Sequence, residues 1–266
     1  AKNLCKECIK NSGGNLSAEN GMSKLSISGV GIMGRPGIAA SLFDTLSRAG
    51  VNLRLIATSE VKVSCVIDEK LGYKALRAVS KVFELNESQI ANNPIIKDLD
   101  APEVRGIALD QNQSQLSVIG VPDKPGTAAS LCSAMAEAGI SLDAIVQSER
   151  KHQDGSRDIS FTLKREERTR ADKALAPLLA QWPASHLEEG PAIARISAVG
   201  AGMPSTIGTA AKMFRALAKA KINIAMIATS EIRTSCVIPE ADGIKALQAV
   251  HSGFRLGDLH RHKEHG

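Results

Sequence analysis

The stretch that decides the fold occurs twice in the chain, as Ile56-Ala57-Thr58-Ser59-Glu60 and again as Ile227-Ala228-Thr229-Ser230-Glu231. The likeness extends in both directions without a gap, because residues 24–85 match residues 195–256 at 28 of 62 positions. Internal similarity of this length is typical of a small domain that is used several times. Arrays of small domains sense and assemble more often than they catalyse, so the pattern favours a regulatory or assembly role.

A more distant third copy lies between these two. It keeps small and apolar residues 89 positions after their counterparts in the first copy, at Gly126, Ala128, Ala129, Leu131, Ala138, Gly139, Ile145 and Ser148. Residues 1–23 resemble the end of that third copy, with a helix rich in Lys and a strand about Leu16 that corresponds to Leu187. We therefore expect residues 1–23 to be the remnant of a truncated unit, and the chain to be the C-terminal portion of a longer polypeptide.

The repeat predicts three further units after the remnant at 1–23. Unit A covers residues 24–97, unit B covers residues 104–190 and unit C covers residues 193–266. Residues 86–103 are rich in Asn and Asp and contain two prolines, which predicts a linker between units A and B.

Unit A shows the order of elements most clearly. An alternating apolar pattern predicts a strand over 25–28, and helical spacing of apolar residues predicts a helix over 38–49. Two strands over 53–57 and 62–67 are close enough for a hairpin, and a second amphipathic helix follows over 72–83. With a final strand, this is the ferredoxin-like plan. The predicted fold class is therefore α+β, tandem ferredoxin-like βαββαβ domains whose antiparallel sheets carry helices on one face.

The helices cover only one face of such a sheet, so its other face and its edge strands are exposed. Exposed edges invite pairing with another strand, and closed two-fold dimers are the commonest oligomers. We expect units B and C to pair side by side in a continuous sheet, and the chain to form a homodimer.

The composition narrows the class of protein. Apolar residues make up 43% of the 266, and no apolar run approaches the roughly 18 to 20 residues that span a bilayer, so no membrane partner is expected. Five cysteines, an odd number, indicate reduced thiols of a cytoplasmic protein. The net charge of +5 is compatible with nucleic-acid binding, but only 3% of residues are aromatic and the basic residues are scattered. No nucleic-acid partner is therefore expected.

Motifs for a cofactor, a metal or catalysis are weak. Gly29, Gly31 and Gly34 match the dinucleotide fingerprint, but unit B lacks the pattern, no acid follows at ribose distance, and the next strands predict a hairpin. The Cys5-x-x-Cys8 pair has no second pair at zinc-finger spacing. No nucleophile and base recur at catalytic spacing, so neither a catalytic residue nor a metal site is predicted.

The polar element that does recur is a Gly-rich loop before the first helix, followed by a small polar residue at the start of the second strand. Helix N-termini and loop amides can hold a carboxylate. An amide or acid on the neighbouring strand can hold an amino group. Together these groups suit a free amino acid between two units, although structural loops and helix caps account for the same residues.

Longer stretches carry a resemblance to a known family. In unit B, residues 121–129 (VPDKPGTAA) and 138–147 (AGISLDAIVQ) resemble the first ACT domain of aspartate kinases. In unit A, residues 28–40 (SGVGIMGRPGIAA) and 56–60 resemble the second ACT domain, and unit C resembles the second again. The resemblance covers essentially the whole chain, and the layout is similar to the four-ACT aspartate kinases of cyanobacteria.

The resemblance implies a non-catalytic regulatory region of an aspartate kinase, under feedback control by lysine and threonine, that controls the first step of aspartate-family amino acid biosynthesis. It also implies homodimerisation through ACT domains, in the cytoplasm or in the plastid stroma of a photosynthetic eukaryote. The kinase domain that uses ATP and Mg²⁺ lies upstream in this family. No cofactor is therefore expected in this chain.

The resemblance further implies where an effector binds. Unit B would supply Asp123, Gly126, Thr127, Ala128, Ser141, Leu142 and Gln147. Unit C, as its paired unit, would add Asn223 and Ile224. Asn52 and Leu53 of unit A would serve a possible second site shared with the truncated unit. Two alternatives stay open, a purely structural dimerisation module without ligand and a dinucleotide-binding fragment.

Overall fold

The computed structural model describes residues 2–10, 16–29, 32, 35–59, 61–86, 103–147, 152–203, 206–230 and 232–256. The helix predicted near the start of the chain is confirmed as α1 (Lys2–Lys10). Among the helices in these ranges, none is long and apolar enough to cross a membrane.

Unit A contains the elements that its periodicity predicts. They are β1 (Met22–Ser28), α2 (Ile38–Arg48), β2 (Leu55–Ser59), β3 (Lys62–Asp68) and α3 (Gly72–Val82). Leu42 and Leu46 are fully buried because they lie four positions apart on the same side of α2. Strand β2 begins two residues later than predicted, after Asn52 and Leu53 have turned toward unit B.

Units B and C repeat this order. Unit B contains β4 (Gly106–Val121), α4 (Thr127–Glu137), β5 (Ala144–Gln147), β6 (Arg157–Lys164), α5 (Arg168–Leu179) and β7 (His186–Glu189). Unit C contains β8 (Ile193–Val199), α6 (Thr209–Lys219), β9 (Met226–Thr229), β10 (Arg233–Pro239) and α7 (Gly243–Gly253). Strands of unit B are ordered β7-β4-β6-β5, all antiparallel, as in ferredoxin-like sheets. The predicted fold class is confirmed.

Units A and B share one sheet and one core. Strand β2 pairs antiparallel with β5, and Ile56 lies opposite Gln147. The Thr58 hydroxyl strengthens this join, since it accepts a hydrogen bond of 2.8 Å from the Ile145 N–H. Helices α2 and α4 pack together over the join, and the buried apolar residues of both units form a single cluster.

Unit C folds against the helix-free face of this sheet. The first half of β4 pairs with β8, and its second half pairs with β6 and β7 of unit B. A register shift between Asp110 and Gln113 interrupts the pairing with β8, as a β-bulge does where a strand bends. The sheet is continuous, and its two facing parts bury a small apolar patch formed by Ala144, Ile193, Met226 and Val237.

These pairings confirm one part of the sequence-based prediction and add to it. Units B and C do pair in a continuous sheet, through β4 and β8. The prediction did not include unit A, which pairs with unit B at the other edge through β2 and β5. The strand predicted about Leu16 is wrong, since residues 16–20 form no strand; its counterpart β7 is held by pairing with β4. The final strand and most of the linker predicted after unit A fall on residues 87–102, outside the described residues. The unit boundaries stay predictions.

Cys65 and Cys236 occupy equivalent positions on β3 and β10 and have no solvent exposure, which confirms that they are core residues. Burial raises the pKa of each thiol, and that of Cys132, to about 12. The described cysteines are free thiols.

Candidate effector site

A cavity lies where the loop before α4 meets the start of β2. Unit B lines it with residues 122–124 and 126–129 and with Gln147 and Ile159, and unit A adds Phe43 and residues 51–53. Its volume is about 10 Å³. A single water needs roughly 10 to 15 Å³, so the cavity has room for about one water molecule.

Asp123 is the acidic side chain of this cavity and joins the two units. Its Oδ1 accepts a hydrogen bond of 3.1 Å from Asn52 Nδ2 of unit A. Its Oδ2 lies 3.0 Å from Nε of Arg157, a fully buried guanidinium at the start of β6. Arg157 Nη1 in turn donates to the Arg54 carbonyl oxygen of unit A at 2.9 Å. The carboxylate and guanidinium together hold the loop of unit B against the start of β2.

Helix α4 begins beside this carboxylate. Gly126 precedes it with a φ of +98°, a left-handed conformation that glycine adopts without strain, and supplies no side-chain cap. The Thr127 hydroxyl donates to the Pro122 carbonyl oxygen at 2.8 Å and so closes the loop. The first amides of a helix have no partner within it and carry partial positive charge. This end of the cavity is therefore suited to a carboxylate.

Gln147 enters the cavity from the end of β5. Its side chain is 6% exposed, and in the described part of the chain its Oε1 has no hydrogen-bond partner. Leaving a buried acceptor unsatisfied costs about 1 to 3 kcal/mol. An ammonium or hydroxyl group of a ligand would donate to this oxygen and remove that cost.

A second cavity is related to the first by the approximate two-fold relation between units A and B. Its volume is about 30 Å³, and it is lined by Ile32, residues 35–37, 39–40 and 140–142, Thr58, Val63, Cys132 and Ile145. Residues 89 positions apart are equivalent in the two units. Ser141 therefore occupies in the second cavity the position that Asn52 occupies in the first, and Thr58 occupies the position of Gln147. The two cavities are formed by equivalent elements but differ in their polar side chains.

The structure brings together most of the predicted site residues. Asp123, Gly126, Thr127, Ala128 and Gln147 line the first cavity, and Asn52 and Leu53, predicted for a separate site, line the same cavity. Ser141 and Leu142 line the second cavity. Asn223 is exposed on unit C and Ile224 packs against the core of unit C. Neither reaches the loop of unit B, because unit A occupies that place. Effector binding by these residues remains a prediction.

Arg157 was not among the predicted site residues. It lies between Ser156 and Asp158, a polar setting that is typical of an exposed strand end, whereas the structure buries it completely. A usable signal was the repeat itself, because the equivalent positions are the apolar Val61 in unit A and Ile232 in unit C.

Comparison with known proteins agrees with this geometry. A family profile described as ACT domain matches residues 25–83 and 196–254, and a second ACT domain profile matches residues 114–180. The chain is therefore a tandem ACT-domain protein.

Individual relatives define the group more closely. The crystal structure of aspartate kinase from Synechocystis is 47% identical, covers 90% of this chain and 40% of its own, and has a TM-score of 0.81. The regulatory subunit of aspartate kinase from Thermus flavus is 42% identical over 57% of this chain and 99% of its own, with a TM-score of 0.54. An aspartokinase of Thermus thermophilus is 43% identical over 153 residues, which are 58% of this chain and 38% of that protein. The chain belongs to the family of aspartokinase ACT regulatory regions, and it spans well under half the length of the whole aspartokinases that it matches.

The bond between Asn52 and Asp123 predicts energetic coupling across the two units. Asn52→Ala and Asp123→Ala remove the same hydrogen bond, so the double variant should lose about 1 kcal/mol less stability than the sum of the single variants. Urea unfolding of the four proteins measures this coupling. Asn52→Ala combined with Asp44→Ala, which removes a surface ion pair with Arg48, is the control and should be additive. Additivity of the first pair would contradict the bridge.

Proposed function

We propose that this chain is the amino-acid-sensing regulatory region of an aspartate kinase, and that lysine or threonine binds in the Asp123 cavity. Binding there would control the first step of aspartate-family amino acid biosynthesis. In this proposal ATP and Mg²⁺ belong to a catalytic domain and not to this chain. Membership of the aspartokinase family supports the role, and the cavity between units A and B supports the site.

The observation that carries the proposal is the buried Gln147 oxygen, which faces a cavity whose other end is a helix N-terminus. These two ends match the two ends of a free amino acid. The carboxylate would lie at the amides of Gly126 and Ala128, because the Thr127 amide already donates to the Lys124 carbonyl oxygen. The amino group would donate to Gln147 Oε1 and approach Asp123. The burial of these groups strengthens each contact, because little water competes.

Occupation requires movement, since a cavity of about 10 Å³ cannot admit an amino acid. The side chain that must yield is Asn52, whose bond to Asp123 crosses the cavity. A ligand that takes over this bond would separate the loop of unit B from the start of β2. Effector binding would then shift unit A relative to unit B, which is a means of signalling from a distant site.

Gln147→Ala should weaken binding of the effector about ten-fold or more. A hydrogen bond to a charged group is worth about 1.5 to 3 kcal/mol, and each 1.4 kcal/mol is a factor of ten in affinity. Isothermal titration of L-threonine and L-lysine into the wild type and the variant measures the change.

The matched control is Gln181→Ala, an exposed glutamine on unit B far along the chain from the cavity. It should bind as the wild type does, and circular dichroism should show that all three proteins are folded. Binding that is indifferent to Gln147 would overturn the site. A wild type that binds neither amino acid would favour the purely structural alternative.

We also propose that two copies of the chain pair through unit C. In units A and B the matching side chains cover each other, so Ile56 and Ile145 are 1% and 2% exposed. Their equivalent in unit C, Ile227 on β9, is 47% exposed. Within the described residues no strand pairs with the outer edge of β9. A second copy could cover this edge by the same antiparallel pairing that joins β2 to β5.

Ile227→Lys should convert this dimer to a monomer, because it would bring one lysine from each copy close together beside the two-fold axis. Analytical ultracentrifugation at micromolar concentration measures the mass. Ile244→Lys, at a 56% exposed position on α7, is the control and should remain dimeric. A monomeric wild type, or a dimer that tolerates Ile227→Lys, would contradict this mode of pairing.

A further inference from the structure

Arg157 neutralises the carboxylate that an effector would meet. Its guanidinium is 0% exposed and the Asp123 side chain is 9% exposed. A buried charge without its partner is strongly unfavourable, so each of the two groups depends on the other. Asp123 is therefore committed to Arg157 through Oδ2, whereas its bond to Asn52 through Oδ1 is the one that a ligand would replace.

The charge that remains around the cavity is positive. Asp123 contributes one negative charge, whereas Arg157 behind it and Lys124 in the lining contribute two positive charges. The N-terminus of α4 adds further positive potential at the same cavity. Such a field suits the carboxylate of a zwitterion and opposes a second ammonium group on the ligand.

The arginine is also particular to this cavity. The structurally equivalent position is Val61 in unit A and Ile232 in unit C. Nothing in the ferredoxin-like plan requires a base at this point of the strand, since two of three units have an apolar side chain there. The buried arginine is therefore a feature of the Asp123 cavity and not of the fold.

We infer that Arg157 determines the charge specificity of this cavity, so that it selects an amino acid with an uncharged side chain over a dibasic one. Arg157 acts through Asp123 and is a positioning residue. The inference rests on the proposed amino-acid site and adds which chemical class occupies it. Without the guanidinium, Asp123 would be free to pair with a side-chain ammonium instead.

The test is the ratio of the dissociation constants of L-lysine and L-threonine, measured by isothermal titration. Only binding that is lost in the Gln147→Ala variant is assigned to this cavity and used in the ratio. The wild type should prefer threonine. Arg157→Met should raise the affinity for lysine relative to threonine about ten-fold, because an ion pair with Asp123 becomes available to the ligand. A general loss of structure would weaken the binding of both amino acids and would not change the ratio of their dissociation constants in this direction.

Two further variants complete the test. Arg157→Gln supplies a side-chain amide that can donate to Asp123, so this variant should fold more readily than Arg157→Met. It should shift the ratio of the two dissociation constants in the same direction. Arg165→Met, which removes an exposed ion pair with Glu240, should leave the ratio unchanged. A wild type that prefers lysine, or a ratio that neither Arg157 variant moves, would overturn the inference while leaving the amino-acid site intact. A wild type that binds neither amino acid would instead contradict the proposed function.

Discussion

The arrangement depends on how an exposed strand edge is satisfied. A ferredoxin-like sheet ends in an edge strand with unpaired amides and carbonyls, and β2 and β5 satisfy each other by pairing directly. That pairing brings α2 and α4 together, merges two small cores into one, and buries Ile56 and Ile145. It also places the loop of each unit beside the start of the second strand of the other, which is where both cavities lie.

Polar side chains at this join make it adjustable. The backbone ladder between β2 and β5 is short, so Thr58, Asn52 and the Asp123–Arg157 pair contribute much of the specific contact between the units. Hydrogen bonds of this kind can be exchanged for bonds to a ligand at modest cost, whereas the apolar core cannot be rearranged so readily. In the proposed function, the units therefore move about a preserved core when an effector replaces Asn52.

Local structure can be predicted from this sequence, but the choice of partner cannot. Leu42 and Leu46 at helical spacing predict α2, and the motifs that contain Gly126 and Gln147 indicate two candidate ligands of the site. The pairing of units is not predictable, because residues 56–60 and 227–231 are identical and either edge could meet β5. Unit C is excluded from that place by β4, whose first half holds β8. The burial of Arg157 depends on the carbonyl of Arg54 and on Asp123, which are distant in sequence, so the local pattern does not indicate it.

The proposed effector site lies at the join of units A and B. Hydrogen–deuterium exchange of the chain with and without saturating L-threonine tests it most directly, since it reports local protection along the backbone. We expect changed exchange in residues 51–57 and 122–131, with α6 of unit C unaffected. Exchange that is unchanged at these two segments, or that changes only in unit C, would contradict it.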